Sequence, residues 1–270
     1  MHNRKPYGTL TVLAVILLGC LLADAIAPQD PSYMALQEAN QAPGAAHWFG
    51  TDALGRDLFS MIWYGGRVSL LIGGLATLIS TGIAAVYGCI AGMAKEWIGD
   101  GMMRFTDILM SVPQILLVVF LQGMLGTPTV LSVALVIGCS GWMGVAKMVR
   151  SEVRRIRTAE YVQAAHMMGG GFFYVLYTHL APNFFPSILF MVVSNLGGAI
   201  AMEATLSYLG IGLPVRVVSW GSLMSLSQNA MLTGAWWMLL LPGLFLVVTL
   251  ICVTELGEWK RTEQRRERLL

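Results

Sequence analysis

Three stretches of this chain run for more than twenty residues without a charged side chain: Val68 to Ala94, Ile108 to Ala146 and Leu232 to Thr254. A fourth, Phe184 to Gly212, carries only Glu203. A segment of about 20 apolar residues is what a helix needs to cross a bilayer. Hydrophobic residues make up 56% of the chain and charged residues 12%, against about 25% charged in soluble domains. A soluble fold cannot hide this much apolar surface, so the bilayer is the expected solvent. Cys20, Cys89, Cys139 and Cys252 lie inside apolar runs and read as small hydrophobes. They show no zinc spacing and no disulfide framework.

The amino terminus is also apolar from Gly8, past Asp24, to Ala27. That is longer than the core of a signal peptide, about 7–15 residues, and is read as a retained helix. Gly126-Thr127-Pro128 breaks the longest run in two. The expectation is an all-α, polytopic membrane protein of six spans, near 8–27, 68–94, 106–125, 129–149, 184–210 and 232–255. Residues 1–67 would hold the first span and an external segment, and 68–270 a core of five spans. On that threading, fourteen of the seventeen Lys and Arg fall on one side, and only Arg56, Arg67 and Arg216 on the other. Positive charge marks the cytoplasmic side, so both termini are expected there.

Two segments outside the membrane then exceed simple turns: an external one from Pro28 to Arg67, and an internal one from Ser151 to Asn183. The internal one is basic through Arg157 and free of helix breakers from Tyr161 to Met168. It is then stopped by Gly169-Gly170-Gly171. Phe172 to His179 can form a second short helix, which Pro182 is expected to end. Phe172, Phe173, Tyr174 and Tyr177 give this piece an apolar face with nothing in the chain to cover it. Two readings stand on chemistry alone: an apolar face that docks in the groove of a soluble partner, or a helix lying among lipid headgroups.

The internal segment resembles the EAA loop of ABC importer permeases. Ala164, Ala165, Gly169 and Pro182 fall on that pattern in register. Glu160-Tyr161-Val162 and His179-Leu180-Ala181-Pro182-Asn183 resemble the ends of the loop in the dipeptide, oligopeptide and nickel branch. Gln163 stands where that motif carries Glu, and Ala181 where it carries Leu. Gln keeps the size and the hydrogen bonding but not the charge, so Glu160 is the candidate for any ion pair there. The resemblance implies that residues 158–183 form coupling helices seated in a cytoplasmic ATPase. Glu160, Tyr161, Gln163, Ala164, Ala165, Gly169, His179 and Pro182 are the implied contact residues.

Further strings follow in the same order. Gly50 to Asp57, GTDALGRD, is similar to the branch's GTDxxGRD before the second span. The branch implies a position near a docked binding protein for Gly50, Thr51, Asp52, Gly55, Arg56 and Asp57. By chemistry alone, Asp52, Arg56 and Asp57 can equally knit a short external cap. Arg104 to Pro113, RFTDILMSVP, resembles the start of the third span, with Arg104 and Asp107 spaced for a local ion pair. Glu203 to Gly212, EATLSYLGIG, and Trp220-Gly221 resemble later stretches of the family. Glu203 is the one acid deep in a predicted span. Such groups are costly and usually functional, so Glu203 and Ser207 are candidates for the translocation pathway. The competing reading is a structural hydrogen bond between the two.

The four histidines, His2, His47, His166 and His179, have no metal-ligand spacing, and no metal site is expected. The chain has no GxxxxGK[ST] phosphate loop and no catalytic constellation. The expected function is therefore a transport subunit and not an enzyme: a type I ABC importer permease in a prokaryotic cell membrane. The resemblance implies a second homologous permease, two ATPase subunits that carry ATP and Mg, and an extracytoplasmic solute-binding protein. Nothing points to nucleic acid. The cargo stays open between di- or oligopeptides and nickel or metal chelates, the short N-terminal tail leaning to the latter by resemblance. The rival reading is a secondary transporter or channel without an ATPase.

Overall fold

The computed structural model describes residues 6–214, 216–228 and 234–267, with side chains throughout except those of His166, Phe172, Phe173, His179 and residues 264–267. Several basic residues used to orient the chain (Arg4, Lys5, Arg268 and the side chains of Arg265 and Arg266) lie outside that description. The helices are α1 (Tyr7–Leu21), α2 (Ala23–Ile26), α3 (Leu58–Met93), α4 (Glu96–Ser111), α5 (Gln114–Leu125), α6 (Val130–Ser140), α7 (Met143–Ile156), α8 (Glu160–Met167), α9 (Phe172–Val175), α10 (Ala181–Tyr208), α11 (Trp220–Leu226) and α12 (Trp237–Glu267). Among the described residues, three helices are long and apolar enough to cross a membrane, or five if each bent pair counts as one span. The apolar helix α1 has 15 residues, a rise of about 22 Å, which is short of a hydrocarbon core of about 30 Å.

Helix α3 starts ten residues before its predicted span because Asp57 caps it, accepting the Ser60 amide at 2.8 Å. The expected division after residue 67 therefore falls inside a helix. The third and fourth predicted spans are each broken in two. Helices α4 and α5 meet at 88°, and α6 and α7 at 48°. Pro113 explains the first corner: it offers no N–H and holds Val112 in extended backbone, with ψ at 129°. Gly141 and Trp142 make the second.

Pro182 does not end a helix, as the sequence suggested. It lies at the second residue of α10, directly after a π-helical turn, and the backbone stays helical through it. A π-helical turn at Leu176–Leu180 joins α9 directly to α10.

The core follows α3. A Cβ on Gly88 would lie 2.7 Å from the Val149 side chain, and one on Gly92 would lie 2.6 Å from Val153. The small residues let the backbones of α3 and α7 approach closely, the usual device for helix pairing where lipid removes the hydrophobic drive. On the other flank, α11 dips into the bundle. Trp220 is fully buried and donates its indole N–H to the Ile62 carbonyl at 2.9 Å. Gly221 lies against the backbone of Ala204.

Glu203 sits at this junction, fully buried. Ser69 of α3 donates to one carboxyl oxygen at 2.8 Å and Ser207 donates to the other at 2.8 Å. Ser69 also accepts the Trp220 amide at 3.2 Å. The acid ties α3, α10 and α11 together inside the chain, and Ser207 is nearly as buried. The packing reading is the one this geometry fits, since neither side chain reaches a surface from which this chain could line a pathway. Replacing Glu203 by Leu strands two buried hydroxyls and should destabilise the protein by about 1–3 kcal/mol. Glu203→Gln, which keeps an acceptor, should cost less. Melting temperatures in detergent test this. Unchanged melting with altered transport would return Glu203 to the pathway.

Candidate functional site

Two built features stand at opposite ends of α3: a helical hairpin beyond its C-terminus and a polar cap at its N-terminus. The hairpin is rooted first. Helix α7 buries Val149, Val153 and Ile156 against α3. Arg157 at its end donates to the carbonyls of Gly92 at 3.0 Å and Ala94 at 3.4 Å, filling the orphan acceptors at the end of α3. Below the hairpin, Val162, Ala165, Val175, Leu176 and Leu180 are buried in one cluster with α7 and the base of α10. Of the aromatic face expected to be uncovered, Tyr174 and Tyr177 are exposed, while other apolar residues, of α8 and of the π turn, root the hairpin on the bundle.

The corner is a helix-terminating motif. Gly169 has φ +82°, and the Gly170 amide reaches back to the Ala165 carbonyl at 2.9 Å. This is the Schellman pattern, which places a left-handed residue just past the helix end. A Cβ on Gly169 would meet nothing within 4 Å, so the position needs glycine for its backbone and not for space. Between α8 and α9 lies an open groove of about 670 Å³, lined by Tyr161, Ala164, Ala165, Met168, Gly169 to Gly171 and Tyr174. Met168 is 87% exposed, Tyr177 71% and Tyr174 56%.

Of the residues expected to contact an ATPase, the structure brings Tyr161, Ala164, Ala165 and Gly169 together at this groove. Glu160 and Gln163 are exposed on α8, and the Gln163 amide donates to the Thr158 carbonyl at 3.3 Å. The neutral Gln therefore serves the start of its own helix. Pro182 is exposed at the base. The side chain of His179 lies outside the described residues, as do those of Phe172 and Phe173. Met168 was missed by the sequence reading; its place beside the Gly corner was the available signal.

At the other end, Gly50 to Asp57 folds on itself. Asp52 accepts the amides of Leu54 at 2.9 Å and Arg56 at 2.8 Å, and pairs with the Arg56 guanidinium at 2.6 Å. Thr51 and Asp57 form an antiparallel bridge. Thr51 also donates to the Glu38 carbonyl, and the Trp237 indole donates to the Thr51 carbonyl at 3.2 Å, pinning the start of α12. Gly55 has φ +73°, and a Cβ there would lie 1.9 Å from the Ala35 carbonyl. Thr51, Asp52, Gly55, Arg56 and Asp57 are all buried, with Gly50. Their side chains knit the cap and present little to a docking protein. The exposed surface comes from neighbours such as Trp48 and Leu36.

His47, absent from the expected site, is the centre of that cap. It is buried, with Nδ1 3.0 Å from Asp57 and Nε2 3.2 Å from Glu38. Ionised carboxylates only accept, so a ring bonded to two of them donates from both nitrogens and is an imidazolium. The hydrogen bond to Asp57 raises its pKa above the ordinary 6.5; Glu38 adds to this and burial opposes it. A group whose folded pKa is raised stabilises fully below its unfolded value and loses that contribution as pH rises through the folded value. The melting temperature of the wild type should therefore exceed that of His47→Gln most at pH 5.5, with the gap closing towards pH 9. A gap that widens with pH would count against the imidazolium.

The comparisons with known proteins agree with this geometry. Residues 84–259 match the family described as "Binding-protein-dependent transport system inner membrane component". The chain is 33% identical over 256 residues to the dipeptide transport system permease protein DppC of Bacillus subtilis (strain 168), covering 95% of this chain and 80% of that protein. It is 34% identical over 259 residues to the oligopeptide transport system permease protein OppC of the same organism, covering 96% of this chain and 84% of that protein. A chain from a structure of the MetNI methionine ABC transporter in inward-facing conformations has the same fold, with a TM-score of 0.59 at 16% identity, covering 75% of this chain and 95% of that one. The chain belongs to the binding-protein-dependent transport system inner-membrane family and is a permease subunit of an ABC importer.

Proposed function

We propose that this permease carries di- or oligopeptides inward and takes its energy through the hairpin at residues 158–183. The observation that carries the reading is the hairpin's build: a rigid root, a glycine corner and an exposed groove between two tyrosines. Partner subunits would bind ATP and Mg and hydrolyse the nucleotide, and this chain would bind none. In this reading the hairpin and both termini are cytoplasmic, which the Lys and Arg distribution supports. A second, homologous permease completes the pathway, and a solute-binding protein docks over the cap built on His47. Peptide cargo is preferred over nickel or a metal chelate because the relatives named above are dipeptide and oligopeptide permeases. Among the described residues, no group of three or more His, Cys, Asp or Glu side chains is placed to hold a metal ion.

The decisive measurement is ATP hydrolysis by the complete assembly in lipid with and without its binding protein. Stimulation supports the importer, whereas transport without an ATPase would favour a secondary transporter. A calorimetric screen of the binding protein against short peptides and Ni²⁺ complexes decides cargo.

Within the hairpin, Met168→Glu puts a charge on the wall of the groove. The protein should insert and fold but lose co-purification with the ATPase subunits. Gly169→Ala adds about 1–2 kcal/mol of left-handed backbone strain and should lower stimulated hydrolysis, while Gly169→Asn, which tolerates that conformation better, should recover part of it. Wild-type co-purification of Met168→Glu would sink the docking role.

A further inference from the structure

Helix α7, which carries the hairpin, is joined to α4 by three ion pairs. Arg154 meets Glu96 at 3.1 Å, Arg150 meets Asp100, and Lys147 meets Asp107. The cations climb α7 towards its N-terminus as the carboxylates descend α4 towards its C-terminus, so the two helices form an antiparallel ladder. The expected local pair of Arg104 with Asp107 is replaced by this interhelical one, because Lys147 reaches across to the carboxylate. Behind the rungs lies a cavity of about 530 Å³ lined by Met103, Asp107, Lys147, Arg150, Ser151 and Arg154.

The two helices differ in how they are held. Helix α7 is embedded on α3. In α4, only Gly99, Met103 and Thr106 are buried. Its ties to α3 include the contact of Gly99 with Ala91, the Tyr87 hydroxyl, which donates to the Met102 carbonyl at 2.7 Å, and the Thr106 hydroxyl, which donates to that of Tyr87 at 3.4 Å. Helix α4 thus hangs between the short link after α3 and the 88° corner at Pro113. The pairs of Arg154 with Glu96 and Arg150 with Asp100 share one register, and Lys147 reaches one turn further, to Asp107. By the same spacing, a slide of one turn in one direction sets Arg104 against Arg150, like against like. In the other direction it leaves Arg154 opposite no carboxylate of α4. A ladder that resists sliding transmits displacement.

We propose that Glu96, Asp100 and Asp107 are positioning residues through which α7 drives α4, so that movement of the hairpin turns the α4–α5 corner. This rests on the hairpin being the ATPase docking site. The carboxylates of the rungs are exposed, although Arg150 is largely buried, and solvent weakens each pair, so they steer a hinged helix without locking it. Arg104 supplies the repulsion that keeps the register.

The test uses the complete assembly in lipid, with nitroxides on Leu116→Cys of α5 and Val247→Cys of α12. Both positions are exposed, and the background is Cys139→Ser because Cys139 is exposed too. Trapping with Mg-ATP and vanadate should shift the distance between the labels in the otherwise unaltered protein. Asp100→Arg should abolish that shift while ATPase co-purification and basal hydrolysis persist. Adding Arg150→Asp should restore the shift by rebuilding the rung with reversed charges. A shift that survives in Asp100→Arg, or that the double reversal does not restore, overturns the ladder and leaves docking intact. If Asp100→Arg does not assemble, the pair Asp100→Asn and Asp107→Asn decides instead, and a retained shift overturns the proposal. Loss of ATPase co-purification from the unaltered chain would instead sink the docking reading, and the ladder with it; an unshifted distance there would sink the ladder alone.

Discussion

Everything in this subunit is referred to one helix. At 36 residues, α3 is longer than a bilayer core requires, and each of its ends builds a different polar structure. Its N-terminus is capped by Asp57, which also holds His47. The carbonyls at its C-terminal end are closed by Arg157, at the base of the hairpin. Between the two, glycine positions let α7 and Trp220 press onto its backbone. The cap and the hairpin are therefore fixed to the same rigid rod, and a force applied at one end need not be dissipated in a chain of soft contacts before it reaches the other.

The contrast between α3 and α4 gives this rigidity a purpose. Burial within a membrane protein comes from close packing and satisfied hydrogen bonds, because lipid is as apolar as the core. By that measure α7, α10 and α11 are parts of a single body with α3. Glu203 is part of that body, since its two carboxyl oxygens are taken by Ser69 and Ser207. Helix α4 lacks such bonds over most of its length. Helix α4 makes one close glycine approach to α3, at Gly99, and otherwise meets α7 through exposed carboxylates, which leaves it the more readily repositioned of the two.

How much of this was legible in the sequence depends on the range of the interaction. Three long spans, or five with each bent pair counted as one, could be read because a bilayer demands long apolar runs, against the six expected, and the break at Gly126 to Pro128 because glycine and proline act locally. The helical hairpin and its glycine corner were legible for the same reason. The 88° corner was not read, although Pro113 was in plain view, because an apolar run hides a bend that its length alone does not require. Pro182 misled because proline usually stops a helix; here the backbone stays helical through it, from the preceding π turn into α10. Ser207 as a partner of Glu203 was legible one turn on, but Ser69 and the α4 partners of the α7 cations lie tens of residues away, or more, in the chain. Spacing cannot reveal such pairs; it suggested Arg104 for Asp107, and tertiary reach chose Lys147.

The cap shows how the polar residues of a family string can be engaged with one another. Gly50 to Asp57 was singled out as lying near a docked protein, yet its polar groups are spent on one another and on His47. A buried Asp–Arg pair and a histidine clasped by two carboxylates are costly to assemble unless every lone pair and proton finds a partner. Here most of them do, so that the loop has one conformation. A binding protein docked there, as proposed, would meet a preformed surface made of the neighbours that the string holds in place, Trp48 and Leu36 among them. Preorganisation lowers the ordering cost of association. The residues that matter most for such a surface are therefore those that never touch the partner, and the same logic governs Gly169 at the other end, which shapes a groove whose walls are Tyr161, Met168 and Tyr174.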